Sequence, residues 1–171
     1  MAILAGFDVH RAQITFDALN TETGEVLRGR FRSDRDAVSE WVAQSGEHVE
    51  VAVEACTGWL FVYEALAGAG AVAHLAEPVK TSALRGKKRH AKTDRADARW
   101  LRTLLAEGRL PQAWIPPAHV REWRTKTRLR MTLIDDRASW LQRIRATLFH
   151  HGIAPAPSNC CGPRAARSCA R

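Results

Sequence analysis

Residues 49–54 read Val-Glu-Val-Ala-Val-Glu, with valine at every second position. A helix would scatter those valines around its axis. An extended strand puts Val49, Val51 and Val53 on one face and Glu50, Ala52 and Glu54 on the other, which leaves one apolar face to cover. The first half of the chain supplies both neighbours and cover. Ile3 to Val9 is a short apolar run, and Ala12 to Leu19 and Glu25 to Phe31 follow as strands separated by Asn20-Thr21-Glu22-Thr23-Gly24. These three read as an antiparallel meander. Ser33 or Asp34 can cap a helix in which Ala37, Val38, Trp41 and Val42 share a face. A second helix, from about Trp59 to Ala67, stops at Gly68-Ala69-Gly70, and Ala71 to Leu75 is a fifth strand. The order β-β-β-α-β-α-β predicts an α/β fold, a mixed sheet flanked by helices.

Beyond Pro78 the character changes. Residues 1–79 carry five basic and twelve acidic side chains, a charge of −7; residues 80–171 carry twenty-one and six, a charge of +15. Clustered charge of this kind points to a nucleic-acid partner, against the plainer reading of a solvated basic surface. Lys80 to Lys92 holds six basic residues and a glycine with little apolar content, and it reads as a loop. Thr93 then caps a helix to about Glu107, with Asp94 and Asp97 in its first turns and Trp100, Leu101, Leu104 and Leu105 on its buried face. Pro111, Pro116 and Pro117 mark a linker. Val120, Trp123, Thr127, Met131, Ile134, Ala138, Leu141 and Leu148 fall near heptad spacing. They predict one long helix and a coiled coil over 118–150 that would make the chain a homo-oligomer, although Thr127 and Ala138 weaken the seam.

The expected organisation is therefore an α/β domain over 1–115, a helical or coiled-coil segment over 116–153, and a tail over 154–171. That tail, APAPSNCCGPRAARSCAR, has no periodicity; it is either an ordinary disordered end or a foreign, frame-shifted sequence. Cys56 is isolated, and Cys160, Cys161 and Cys169 match no zinc spacing, so the cysteines imply neither a structural metal nor a disulfide frame. No apolar run approaches the roughly 20 residues of a membrane span. With no secretory pattern at the N-terminus, a cytoplasmic setting without a membrane partner is the expectation.

Four acids stand out by position. Asp8 interrupts the apolar strand Ala5-Gly6-Phe7-Asp8-Val9, where an unpaired charge is unfavourable. Glu54 ends the alternating strand on the face opposite its valines. Asp94 and Asp97, spaced i and i+3, project from one side of a helix. Each has a plainer reading: a turn-flanking Asp8, a solvated strand end at Glu54, first-turn acids favoured by the helix dipole at Asp94 and Asp97. Together they make a constellation if the first and fourth strands are parallel neighbours and the later helix crosses them. Four carboxylates without bases among them require cations, and hard oxygen donors suit Mg²⁺ or Mn²⁺. Two such ions about 4 Å apart would serve phosphodiester chemistry.

The segments Phe7-Asp8-Val9-His10, Val53-Glu54-Ala55-Cys56-Thr57-Gly58-Trp59 and Ala91-Lys92-Thr93-Asp94-Arg95-Ala96-Asp97-Ala98 resemble, in order and spacing, the successive motifs of the DEDD-type insertion-sequence transposases, a group that includes the Piv-type DNA invertases. The resemblance runs from about Ile3 to Ile153. It implies an RNase H-like, RuvC-like fold, with Asp8, Glu54, Asp94 and Asp97 as the catalytic, metal-binding tetrad. It further implies DNA strand cleavage and rejoining during transposition, and a structured guide RNA as a second partner. In the family the helical segment leads to a C-terminal domain bearing a serine that attacks DNA. Ser158 and Ser168 lie in a tail that resembles nothing in that domain, so truncation before it is the expectation.

Lys80, Arg85, Lys87, Lys88, Arg89 and Lys92 lead into the acidic pair, and Arg95, Arg99 and Arg102 continue along the helix. Such residues contact phosphates and position nucleic acid without reading sequence. Arg121, Arg124, Lys126, Arg128 and Arg130 repeat the pattern, or form the charged flank of a coiled coil. His90 is either a proton-transfer group or a solvated loop residue. Trp59, Trp100 and Trp123 read as core or interface anchors. The rival to a transposase is a non-catalytic nucleic-acid-binding and dimerisation module. An actin-like ATPase, whose fold also opens with a strand Asp, lacks a Gly-rich phosphate loop here.

Overall fold

A computed structural model describes residues 2–46, 48–86 and 93–154. They divide into two units at the Ile115–Pro116 junction. The first contains strands β1 (Ala2–Val9), β2 (Gln13–Asn20), β3 (Val26–Arg32), β4 (His48–Glu54) and β5 (Val72–Ala76), in the order β3-β2-β1-β4-β5. The meander β1-β2-β3 is antiparallel, whereas β4 pairs parallel with both β1 and β5. This is the mixed sheet expected from the sequence.

Helices α1 (Arg35–Ser45) and α2 (Trp59–Gly68) belong with one face of that sheet. Asp34 caps α1, its Oδ1 accepting from the Ala37 N–H at 2.8 Å. The α2 cap is Gly58 at φ 95°, a left-handed backbone that glycine adopts without a Cβ penalty. Period-two alternation sends Phe7, Val51 and Val53 into a core with Val38, Val62 and Leu66. Full burial of side chains of this size contributes about 1.5–3 kcal/mol each. Phe7 and Trp41 meet edge-on with centroids 4.8 Å apart.

The other face belongs to α4 (Asp94–Ala106), which packs on β1, β2 and β4. Thr93 caps it, with Oγ1 accepting from the Ala96 N–H at 3.2 Å. Ala98, Leu101 and Leu104 are buried beneath it. The approach to β1 is possible because residue 6 is glycine. A Cβ there would overlap the Ala98 carbonyl oxygen and lie 2.6 Å from the Arg102 nitrogen and 2.9 Å from Leu101 Cβ. Asp17 on β2 fastens the same helix. Its carboxylate, 2% exposed, accepts from Arg28 Nε at 2.7 Å on one oxygen and from Arg102 Nε on the other.

One margin of the sheet is covered, and the other carries charge. Beside β5, Glu77 donates its N–H to the Pro111 carbonyl at 2.8 Å, and Ala113 donates to the Leu75 carbonyl at 2.7 Å. The margin strand β3 presents exposed Arg28, Arg30 and Arg32.

The start of the expected loop over Lys80 to Lys92 is instead a short helix, α3 (Pro78–Leu84). Pro78 opens it with a preset φ, and the Glu77 carboxylate accepts from the Val79 and Lys80 N–H groups at 3.2 and 2.9 Å. These start signals outweigh the basic composition. Residues 87–92 of that segment lie outside the described residues.

The second unit holds α5 (Ala118–His150), one continuous helix of 33 residues with none buried. Trp123 is 70% exposed on it. By contrast, Trp59 packs against the core and Trp100 donates its indole N–H to the Thr81 carbonyl at 3.1 Å. No helix among the described residues is long and apolar enough to cross a membrane.

Candidate active site

Asp8 and Glu54 stand at the C-terminal ends of parallel neighbours, since the register pairs Phe7 with Val53 one residue earlier. Alternation turns both toward the face that α4 covers. Two residues on the first turn of α4, Asp94 and Asp97, complete the group. All four line one cleft of about 670 Å³, together with His10 and Cys56. A smaller recess of about 140 Å³ is lined by Asp8, Glu54 and Asp97 with Thr81, Arg85 and Trp100. Thr81 is 3% exposed, and its Oγ1 has no hydrogen-bond partner.

The expectation that the four acids have no bases among them does not hold. His10 Nε2 lies 3.0 Å from Asp8 Oδ2 and 3.5 Å from Asp94 Oδ1. Arg85 donates to Asp97 Oδ1 at 2.5 Å and to the Ala96 carbonyl at 3.3 Å, with its guanidinium over the Trp100 ring. Even so, the Asp8 carboxyl is held above its ordinary 3.8. Burial is the main cause; His10 opposes it, and Asp97 and Asp94 add to it. Burial likewise raises the Cys56 thiol, helped by Glu54 and Asp8. The cleft disfavours added negative charge and favours a cation.

The family model of the IS110-type DEDD transposases, described as "Transposase", matches residues 5–152. The chain belongs to this family. No curated protein matches it. Membership makes this a transposase domain, a class of enzyme that binds, cleaves and recombines DNA, and the DEDD family implies use of divalent metal. The five-stranded mixed sheet agrees with the RNase H-like fold of such domains.

The donor set of this transposase fits a hard divalent cation: four carboxylates line the same cleft. Asp8, His10 and Asp94 each offer an atom within 4.8 Å of the others. Of the expected phosphate contacts, Lys80, Arg95 and Arg99 are exposed, whereas Arg85 is engaged by Asp97. Lys87, Lys88, Arg89, Lys92 and His90 lie outside the described residues. The sequence reading passed over His10, the Arg85–Asp97 pair, and Asp17 with its two arginines. A signal existed for Asp17, which interrupts the apolar strand Ile14-Thr15-Phe16-Asp17-Ala18-Leu19 much as Asp8 interrupts its own.

Proposed function

We propose that Asp8, Glu54, Asp94 and Asp97 form a metal-dependent centre for DNA strand cleavage and rejoining in transposition of an insertion sequence. The observation that carries the reading is convergence: residues from two strands and one helix, 89 positions apart at the extremes in Asp8 and Asp97, line one cleft in a chain of this family. Mg²⁺ or Mn²⁺ is the cofactor, with two ions in the complete site. Asp8, Glu54, Asp94 and Asp97 would hold them, and the ions would supply activation of a water or hydroxyl and stabilisation of a leaving oxygen. The protein's own part is to hold the carboxylates on stiff elements and to draw the phosphate backbone in. Lys80, Arg95 and Arg99, with Arg85, Lys87, Lys88, Arg89 and Lys92, supply that attraction.

Residues 1–115 are read as the catalytic domain, and 116–153 as a helical segment that pairs with a second copy as a coiled coil. A structured RNA is a further partner implied by the resemblance to this family, and the +15 charge after residue 79 suits nucleic acid of either kind. Calorimetric titration with Mg²⁺ and Mn²⁺ tests the site. The parent should bind, Asp8→Asn and Asp94→Asn should lose most of that binding, and metal-dependent nicking of element-end DNA should disappear with it. Equal binding by parent and variants would sink the tetrad.

One observation favours a second reading, a non-catalytic nucleic-acid-binding module. Arg85 offsets the charge of Asp97 without any ion, and His10 hydrogen-bonds Asp8. DNA binding with no divalent-metal binding in the same titration would select it.

A further inference from the structure

We infer that His10 is itself a ligand of the cation at Asp8 and Asp94, giving this site a mixed nitrogen–oxygen donor set that favours first-row transition ions over Mg²⁺. The inference rests on the metal-centre reading above and adds to its four carboxylates.

Geometry carries the argument. Ligand atoms about 2.1 Å from an octahedral ion and at right angles to each other stand about 3.0 Å apart. The Nε2 of His10 lies 3.0 Å from Asp8 Oδ2 and 3.5 Å from Asp94 Oδ1, close to that edge length on both sides. The residue is also pinned. Its backbone N–H donates to the Gln13 carbonyl at 3.0 Å, which fixes the turn from β1 to β2 and sets the ring beside Asp8. Its ring is half exposed, so an ion can reach it from solvent. Asp97, by contrast, is engaged by the permanently charged guanidinium of Arg85, a group that can compete with a cation but never ligate one. The two halves of the cleft therefore differ in kind. On the Asp8–Asp94 side the base can become a ligand; on the Asp97 side it must move away.

Imidazole is a softer donor than carboxylate, and its affinity rises along the first-row series, whereas Mg²⁺ keeps oxygen and water around it. Mn²⁺, a paramagnetic ion that shares the oxygen preference of Mg²⁺ and also accepts imidazole, is the probe, used on the full chain. Electron spin-echo envelope modulation of bound Mn²⁺ should show ¹⁴N coupling from a directly bound imidazole. That coupling should vanish in His10→Gln and persist in His74→Gln, whose imidazole is engaged by Glu50. Calorimetry should show His10→Gln weakening Mn²⁺ by about tenfold or more, with a much smaller effect on Mg²⁺. Circular dichroism melts of the same samples establish that the variants are folded. Mn²⁺ bound by the parent without ¹⁴N coupling, or equal weakening of both metals, would overturn the role of His10 while leaving the carboxylate centre intact. Failure of the parent to bind either metal would overturn both.

Discussion

Arg85 and Asp97 are joined at 2.5 Å in the smaller recess, so one of the four carboxylates is already matched by the protein's own cation. Both side chains are about a quarter exposed, which keeps the pair strong enough to matter and weak enough to exchange. On the proposed reading, an ion arriving at Asp97 displaces the guanidinium, and a DNA phosphate receives it. Arg85→Ala should therefore tighten divalent-metal binding in the absence of DNA by about three- to tenfold, matching the roughly 1 kcal/mol that such a pair contributes. It should weaken DNA binding at the same time. Metal titrations with and without DNA would separate the effects, and unchanged metal affinity would show that Arg85 does not compete.

Asp8 gives the site a pH signature. Its folded pKa is raised, chiefly by burial, so the fold prefers the protonated carboxyl. The associated stability is fully present below the ordinary carboxylate value and is lost as pH rises through the folded value. At neutral pH the ionised Asp8 should thus be a liability without metal. Asp8→Asn is expected to melt higher than the parent in EDTA at pH 7, with the gap closing on acidification toward pH 3.8. Excess Mg²⁺ or Mn²⁺ should raise the parent's melting temperature and leave the variant's almost unmoved. A variant that melts lower than the parent in EDTA would contradict this account.

Gly6 is where packing and site meet. Gly6→Ala forces a methyl group into the backbone of α4, which cannot yield by rotating a side chain. About 1–3 kcal/mol of stability should be lost in denaturant melts, in the range of overpacked cores. Metal affinity should fall in the molecules that remain folded, since Asp94 and Asp97 ride on the helix being pushed away. Normal stability together with normal affinity would mean that α4 can shift without consequence for the site.

Asp17 is nearly inaccessible and shared by Arg28 and Arg102. Asp17→Asn leaves the largely buried Arg102 short of a counter-charge and should cost about 3 kcal/mol, mostly independent of salt, with a smaller, salt-screened part from the half-exposed Arg28. Chemical denaturation at low and high ionic strength would check this. A loss confined to low salt would make the triad a surface interaction.

How much of this was legible beforehand depended on the range of the interaction. The alternation of Val49, Val51 and Val53, the caps at Asp34 and Thr93 and the glycine stop after α2 are local signals, and they gave the element order. The parallel pairing of β1 with β4 was anticipated as a condition for the acids to meet, and the register of Phe7 with Val53 supplies it. The start of α3 was local too, in Glu77 and Pro78, but charge composition was weighed above it. Tertiary pairing was not legible. Arg85 lies 12 positions from Asp97, and Arg102 lies 85 from Asp17. Neither separation leaves a periodic trace, so the balancing arginines stayed hidden while the acids stood out.

The second unit invites a simpler experiment. Its helix buries none of Leu129, Leu133, Ile134 or Trp140, all of them more than 40% exposed. An apolar stripe of that length calls for a partner, and a second copy is the reading adopted above. Light scattering at rising concentration should show a dimer or larger assembly, and Leu133→Glu with Ile134→Glu should return it to the monomer mass. A monomer at all concentrations would leave the stripe without a self-partner.

The guarded margins of the sheet have a consequence for handling as well as for folding. Strand β5 is closed off by the Pro111–Ala113 segment, and β3 offers a row of arginines to any approaching strand. Neither side can readily template another copy's backbone, so strand-on-strand growth into fibrils is obstructed. Any self-association should therefore avoid the sheet. Concentrated preparations should gain mass through helices, and they should do so without acquiring the thioflavin response of cross-β aggregates.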